Sequence, residues 1–219
     1  MMNAKRHHVI VLLAAAALAL VAGLWAGRLA NNGDGPGGRV DLQGGTSMLT
    51  QPRPLPEFEL QSHRGEPFTR TDLKGQWSLL FFGYTHCPDV CPMTLSMLNN
   101  AKDALASQGG TEDTQVVFIS VDPERDTREV LQEYVTYFDP AFTGVRGPEK
   151  ELERLTKGLG ILYSKVSNPD KDGEYLVDHS ASIIVVGPAA QQVAVLSAPH
   201  KAETVAHDLQ RLRQAYPGG

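Results

Sequence analysis

The hydrophobic pattern divides the chain into an apolar segment near its start, a polar stretch, and a longer region of alternating strand-like and helix-like patterns. Residues 9–27 contain no charged side chain and follow a short basic head, residues 1–8. As a helix rising about 1.5 Å per residue, this run would be about 30 Å long, which is the thickness of the hydrocarbon core of a membrane. The sequence therefore predicts a single transmembrane anchor over residues 9–27.

The flanks of this segment predict its orientation. Lys5 and Arg6 precede the apolar run, and only Arg28 follows it closely, which favours a cytoplasmic head at the inner membrane and a C-terminal domain on the exported, periplasmic side. A cleaved signal peptide is the alternative, but it would have a shorter apolar region and a small-residue cleavage site. Here the bulky Trp25 lies where a small residue is needed. Residues 28–54, rich in Gly, Pro, Asn and Gln, are expected to be a flexible linker.

From residue 55 onward the pattern predicts one α/β domain, residues 55–219. Residues 77–84 are a continuous apolar run, typical of a buried central strand, and residues 92–106 show helical spacing after a proline. The other predicted elements are a hairpin at 58–69, a strand at 115–121, helices at 126–138, 148–158 and 204–216, short strands at 161–163 and 175–177, and a hairpin at 182–196. A βαβ start and a ββα end indicate a thioredoxin-like fold, with a central mixed sheet flanked by helices.

The charge distribution and the cysteine content limit the classes of function that this chain can have. The formal net charge is −5, and acidic and basic residues are interspersed without a basic block, so nothing indicates a nucleic-acid partner. The chain has only two cysteines, and the predicted topology places them in an oxidising compartment, where idle thiols become disulfides. The chemistry of this pair is therefore the main question.

Cys87 and Cys91 lie at the junction between the predicted central strand and the helix that follows it. Such a pair can cycle between dithiol and disulfide, or it can offer two thiolates to a soft metal. We expect Cys91 just before or within the first helical turn, where unpaired N–H groups and the helix dipole stabilise a thiolate. A merely stabilising disulfide is a third interpretation, but so short a loop removes little entropy from the unfolded chain.

A metal site would need a ligand beyond the two thiolates. Among the seven histidines, His179 is the best candidate, because it lies at a strand entry with the freedom of a loop. Spacing alone leaves its role open, since a lone histidine beside an aspartate is commonly a hydrogen-bonded structural residue. The neighbouring Asp178 is either a partner of the imidazole or a solvent-facing acid.

Three further groups near the cysteines have two interpretations each. Asp89 either tunes the thiols or caps the helix, and we favour the cap. Residues 122–126 follow the second central strand at the same edge of the sheet; they orient the loops or dock a partner, with Asp126 or Thr127 capping the next helix. Met93 and Met97 either pass on Cu(I) or pack in the core, which is the commoner role of methionines at helical spacing.

Three blocks of the sequence closely resemble the hallmark motifs of the SCO/SenC family: FFGYTHCPDVCP at 81–92, VDPERDT at 121–127 and VDHS at 177–180. The resemblance runs from about residue 54 to near the C-terminus. It implies a membrane-anchored, thioredoxin-fold copper chaperone that helps assemble the copper centre of cytochrome c oxidase. The family's copper ligands match Cys87, Cys91 and His179 residue by residue, which implies one copper ion, Cu(I) or Cu(II), per domain.

The resemblance also implies partners. These are cytochrome c oxidase subunit II or another copper acceptor, together with a copper-donating chaperone and a thiol reductant; no catalysed reaction is required. The alternative is a thiol:disulfide oxidoreductase that reduces the cysteines of the acceptor by exchange, and the two roles are compatible. A peroxiredoxin-like peroxidase is disfavoured, because its Pro-x-x-x-Thr-x-x-Cys pattern is absent from the sequence.

Overall fold

The computed structural model describes residues 14–15, 17–23, 25, 40–107, 110, 113–168 and 173–216. The predicted basic head lies outside these residues, and the predicted anchor, residues 9–27, lies only partly within them; its described residues are helical. No helix traced through the described residues reaches the length and hydropathy needed to cross a membrane. The elements below belong to the unit Asp41–Gly219.

Ten strands and four α-helices are seen among the described residues of this unit. The strands are β1 (Gly45–Pro54), β2 (Glu59–Ser62), β3 (Pro67–Thr69), β4 (Trp77–Gly83), β5 (Thr114–Ser120), β6 (Thr143–Arg146), β7 (Tyr163–Ser167), β8 (Tyr175–His179), β9 (Ile183–Gly187) and β10 (Gln191–Ser197). The helices are α1 (Val90–Ala106), α2 (Arg128–Phe138), α3 (Glu149–Leu159) and α4 (Ala202–Ala215), and a short 3₁₀ helix covers Arg70–Leu73.

Eight strands form one mixed sheet in the order β1-β10-β9-β4-β5-β6-β2-β3, and β7 and β8 form a separate hairpin. Strands β4, β5 and β6 are parallel, whereas every other neighbouring pair is antiparallel. Helix α1 packs against α4, and α2 packs against β6. This arrangement confirms the predicted α/β architecture, with a mixed central sheet and flanking helices.

Strand β4 is the centre of the sheet and sets the position of the functional residues. All seven of its residues are buried, because β5 pairs with one edge, β9 with the other, and both faces are covered. Its last residue, Gly83, lies beside Ser120, the last residue of β5. The loops that follow these two parallel strands therefore leave the sheet at the same edge.

Strand β6 and the end of α3 differ from the prediction. The four residues of β6 were not predicted as a strand, since Gly144 interrupts the short apolar run; the strand is held by parallel pairing with β5. The glycine that ends α3 is Gly160, in the left-handed conformation with φ of 73°, and not Gly158. That position suits glycine because it has no Cβ to clash.

The predicted linker, residues 28–54, is partly wrong. Residues 28–39 lie outside the described part of the chain, but Gly45–Pro54 is a strand that pairs antiparallel with β10. Two tertiary hydrogen bonds support it: the Gln43 amide donates to Asp208 Oδ1 at 2.8 Å, and the Tyr216 hydroxyl donates to the Leu49 carbonyl at 3.1 Å. Most β1 side chains are exposed, so the strand carries little hydrophobic pattern. The folded domain begins before residue 55.

Removal of β1 tests this boundary. A chain that begins at residue 55 should be less stable than one that begins at residue 41 by about 1–3 kcal/mol. It lacks the β-ladder on β10, the hydrogen bond that Tyr216 donates and the one that Asp208 accepts. Urea unfolding of the two chains measures the difference. Equal midpoints and slopes would mean that β1 adds nothing to the domain.

Candidate metal centre

The two cysteines lie on the loop after β4 and in the first turn of α1. Cys87 is half-buried in the loop, and Cys91, the second residue of α1, is buried; both are free thiols. Asp89 occupies the position before the helix, but its side chain makes no capping hydrogen bond. The structure therefore does not show the predicted helix cap. The backbone of residues 89 and 91 instead acts on Cys87, whose pKa it lowers by hydrogen bonding.

His179 completes a cluster of three ligand atoms. The sulfur atoms of Cys87 and Cys91 and one imidazole nitrogen of His179 all lie within 4.8 Å of one another, and Cys91 Sγ is 3.3 Å from His179 Nε2. His179 Nδ1 is 3.3 Å from the Ser180 carbonyl oxygen. That carbonyl can only accept, so Nδ1–H donates to it, and Nε2 is the ring nitrogen that faces the thiols.

Two aromatic side chains hold the imidazole ring in place. The edges of Phe81 and Tyr84 meet His179 with ring centroids 6.0 Å apart in both pairs. Phe81 and Tyr84 are themselves buried, so the imidazole packs on the end of the central strand and the start of the cysteine loop. The residues predicted as ligands, 88 positions apart in the case of Cys91 and His179, are brought together.

The pKa values of the two thiols are displaced in opposite directions. The hydrogen bond donated by the Cys91 thiol lowers the pKa of Cys87, and the contacts with His179 and the backbone N–H groups act in the same sense against the effect of burial. The same hydrogen bond and burial raise the pKa of Cys91. The pair is therefore a thiolate at Cys87 and a thiol at Cys91. We expected Cys91 to be the stabilised thiolate, but its pKa is raised and the pKa of Cys87 is the one that is lowered.

Gly83 lets the Cys91 sulfur lie against the end of β4. A Cβ atom at this position would be 2.6 Å from Cys91 Sγ and 2.8 Å from Phe118 Cε2, both far inside van der Waals contact. Sequence reasoning did not single out Gly83. The signal was a glycine at the end of a buried strand, which often marks a close approach of another group.

The loop between β5 and α2, residues 121–127, which we call the brace loop, fixes the cysteine loop through Asp126. This carboxylate is fully buried and accepts hydrogen bonds from the Thr85 amide at 3.1 Å, the Thr85 hydroxyl at 2.6 Å and the Ser120 hydroxyl at 2.6 Å. Burial raises the pKa of Asp126. The capping role falls to Thr127, whose side chain accepts from the Val130 amide.

The other half of the brace loop holds the β7–β8 hairpin. Arg125 donates through Nε to Asp122 and through Nη1 to the Tyr175 carbonyl at 2.9 Å, and its guanidinium lies 3.8 Å from the centre of the Tyr175 ring. The Tyr175 hydroxyl donates to Asp122 Oδ1 at 2.8 Å. Tyr175 begins the strand that ends at His179. The loop-orienting role predicted for residues 122–126 is therefore seen as direct contacts to both arms of the cluster.

The remaining candidates lie outside the cluster. Asp178 is exposed on β8, which fits the solvent-facing alternative. Met93 is 60% exposed, and Met97 is half-buried against the core. Thr85 and Tyr175, which the sequence analysis did not single out, are polar partners of the brace loop. Only the fold reveals their role, because each makes its contact across tens of residues.

The cluster fits a single soft metal ion. Thiolate and imidazole ligands bind a first-row metal at about 2.0–2.3 Å, so ligands around one ion lie about 3.5–4 Å apart. The present separations reach that range with small movements. Two sulfur ligands and one imidazole favour soft metals over calcium or magnesium, which prefer oxygen.

Comparisons with known proteins agree on one family. The family model described as SCO1/SenC matches residues 47–214. The human protein named Protein SCO1 homolog, mitochondrial, is 40% identical over 131 residues, which cover 60% of this chain and 43% of the human one. The chain thus spans less than half the length of that relative.

Two crystal structures of similar proteins contain copper. Arabidopsis thaliana ScoI with copper bound has a TM-score of 0.70 at 34% identity, covering 74% of this chain and 99% of that chain. Yeast Sco1 with copper bound has a TM-score of 0.69 at 32% identity, covering 76% of this chain and 92% of that chain. The thioredoxin-like fold predicted from the sequence is the one these proteins share.

The close approach at Gly83 can be tested by substitution. Gly83→Ala should lower the free energy of unfolding by about 1–3 kcal/mol, because the new methyl group overlaps the Cys91 sulfur and the Phe118 ring. Denaturant titration under reducing conditions measures the loss. In a Cys91→Ala background the loss should be smaller, since one of the two clashes is removed. Equal losses in both backgrounds would mean that the sulfur does not constrain this position.

Proposed function

This chain belongs to the SCO1/SenC family, and on that premise we propose that its domain is a copper chaperone that binds one copper ion through Cys87, Cys91 and His179. The observation that carries the proposal is the convergence of these three ligand atoms within 4.8 Å. The copper-bound structures of the Arabidopsis and yeast relatives support copper as the ion. The ion is the cargo of the domain and is handed to an acceptor protein.

Uptake and release follow from the asymmetry of the ligands. Cys87, half-buried and ionised, is the first ligand that an incoming ion meets, and His179 offers Nε2, the ring nitrogen that faces the thiols. The buried Cys91 must release its proton to become a ligand. Copper therefore displaces one thiol proton on binding, and a proton returns to Cys91 when copper leaves.

The proposed acceptor is cytochrome c oxidase subunit II or another protein with a copper site on the exported side. The motif resemblance at 81–92, 121–127 and 177–180 supports this assignment. A copper-donating chaperone would load the domain, and a thiol reductant would keep Cys87 and Cys91 able to bind. Residues 9–27 would anchor the domain in the inner membrane with the cluster on the periplasmic side, as the basic head and the uncharged run favour.

A thiol:disulfide oxidoreductase is the second candidate function, and the pairing of a thiolate with a thiol favours it. The Cys87 thiolate would attack a disulfide of the acceptor and form a mixed disulfide, releasing one acceptor thiolate. Cys91, after losing its proton, would attack the Cys87 sulfur and release the second thiolate. The acceptor gains two electrons and the pair becomes a disulfide, which an external thiol reductant must restore.

Substitution of His179 separates the two functions. The reduced wild-type protein should bind one tight equivalent of copper and show a thiolate-to-Cu(II) charge-transfer band. His179→Ala should lose or shift the band and bind copper more weakly, because one of three ligands is missing. Absorption spectroscopy and competition with a copper chelator measure both quantities, and His86→Ala, which removes the histidine next to Cys87, is the matched control.

Two results of that experiment would contradict the copper proposal. Unchanged affinity and an unchanged spectrum in His179→Ala would rule out the three-ligand site. If the same variant kept full thiol exchange and full oxidase assembly in cells, the oxidoreductase function would be the better account.

Arg125→Lys tests whether the brace loop positions His179. Lysine keeps a positive charge beside Asp122, but it lacks the fork that also reaches the Tyr175 carbonyl. We expect copper affinity to fall about tenfold or more, as for other partners that orient a metal ligand. Lys165→Ala is the control, because Lys165 also lies over the Tyr175 ring, at 4.8 Å, but does not bond to its backbone. Equal affinity in Arg125→Lys and wild type would mean that β7–β8 pairing alone sets the position of His179.

A further inference from the structure

A groove beside the cluster contains a second set of soft ligands. It lies between helix α1 and the segment that leads into α4, encloses about 540 Å³, and is lined by Met93, Met97 and His200 together with the polar Ser96 and Asn100. None of these residues belongs to the cluster of Cys87, Cys91 and His179.

The two methionines share one face of α1, because residues four apart lie one turn above each other. Met97 is half-buried and packs against the core, whereas Met93 is 60% exposed. Core packing, the usual role of methionine, accounts for Met97 but leaves the exposed Met93 without a packing role. The thioether of Met93 is therefore available to a ligand from solvent.

His200 lines the same groove, and one of its two ring nitrogens already makes a hydrogen bond. Its Nε2 is 2.7 Å from the Ala181 carbonyl oxygen, so Nε2–H donates and Nδ1 keeps its lone pair. Within the described part of the chain, no hydrogen bond occupies Nδ1. A neutral imidazole with one nitrogen tied to a carbonyl is the usual arrangement of a metal-binding histidine.

The groove adjoins both arms of the cluster. Pro92 and Met93 directly follow Cys91. Ala181 lies two residues after His179, and its carbonyl accepts the hydrogen bond from His200. The groove and the metal centre therefore draw their residues from neighbouring stretches of the chain. Lys201 and Glu203, which also line the groove, have opposite charges, so the surface neither attracts nor repels ions strongly through net charge.

We propose that Met93, Met97 and His200 form a second, weaker metal site that takes Cu(I) and exchanges it with the cluster. Thioether and imidazole ligands are neutral and soft, so they select Cu(I) over Cu(II), zinc and harder cations. In the exchange, the bonds from copper to the two thioethers and the imidazole break and bonds to Cys87, Cys91 and His179 form. The Cys91 proton passes to water, and copper stays Cu(I), so no electron is transferred.

The proposal rests on the proposed copper function. The test therefore substitutes the three ligands of the cluster and measures the Cu(I) binding that remains. The full-length chain carrying Cys87→Ser, Cys91→Ser and His179→Ala should still bind one equivalent of Cu(I) in competition with a chromophoric Cu(I) chelator. X-ray absorption should show sulfur and nitrogen neighbours for that ion. Adding Met93→Leu and Met97→Leu, which nearly conserve volume, should weaken this binding at least tenfold, as should His200→Gln.

Controls make each outcome decisive. Met48→Leu, a half-buried methionine outside the groove, should leave the residual binding unchanged, and circular dichroism checks that every variant is folded. If the cluster-free variant binds no Cu(I), or binds it equally with and without Met93 and Met97, the second site is wrong, whatever the wild type does. If the wild type binds only the groove equivalent, the second site stands and the proposed function of the cluster fails.

Discussion

Two buried carboxylates in the brace loop fix the geometry on which the metal centre depends. Asp126 binds the loop that carries the cysteines, and Asp122, through Arg125, binds the hairpin that carries His179. A buried charge costs free energy unless donors surround it. Here the donors include Thr85 of the cysteine loop and Tyr175 of the β7–β8 hairpin, so contacts that offset desolvation also set the distance between sulfur and imidazole. The arms need no direct covalent link.

The electrostatics of the thiols depends on that geometry. The Cys91 thiol, His179 and the backbone of residues 89 and 91 lower the pKa of Cys87, and those partners come from two segments that are distant in sequence. Moving His179 away would remove one contact to the thiolate as well as one ligand. Metal binding and thiol reactivity therefore share a structural cause, which explains why the two functions proposed for the domain use the same atoms.

The sequence predicts the elements with strong local signals and leaves out those that depend on neighbours. The buried run of β4 and the helical spacing of α1 are correct to within a few residues, whereas β1 and β6 are missed, because pairing with β10 and β5 holds them more than their own pattern does. Cys87 and Cys91 can be identified as a functional pair from their spacing in the sequence. His179 was singled out by elimination among the histidines, and the family resemblance made the choice firm. Gly83, Thr85 and Tyr175 needed coordinates, since what matters in each is a contact with a residue distant in sequence.

The separation of 88 positions between Cys91 and His179 ties copper capture to the order of folding. The unfolded chain presents a cysteine pair without its imidazole, and the third ligand arrives only when the β7–β8 hairpin packs against the brace loop. An ion that needs all three ligands prefers the native state, so it stabilises the domain by an amount that grows with the logarithm of its concentration. Copper-free molecules would therefore be the first to unfold or to be degraded, and metal supply would set how much of the protein persists.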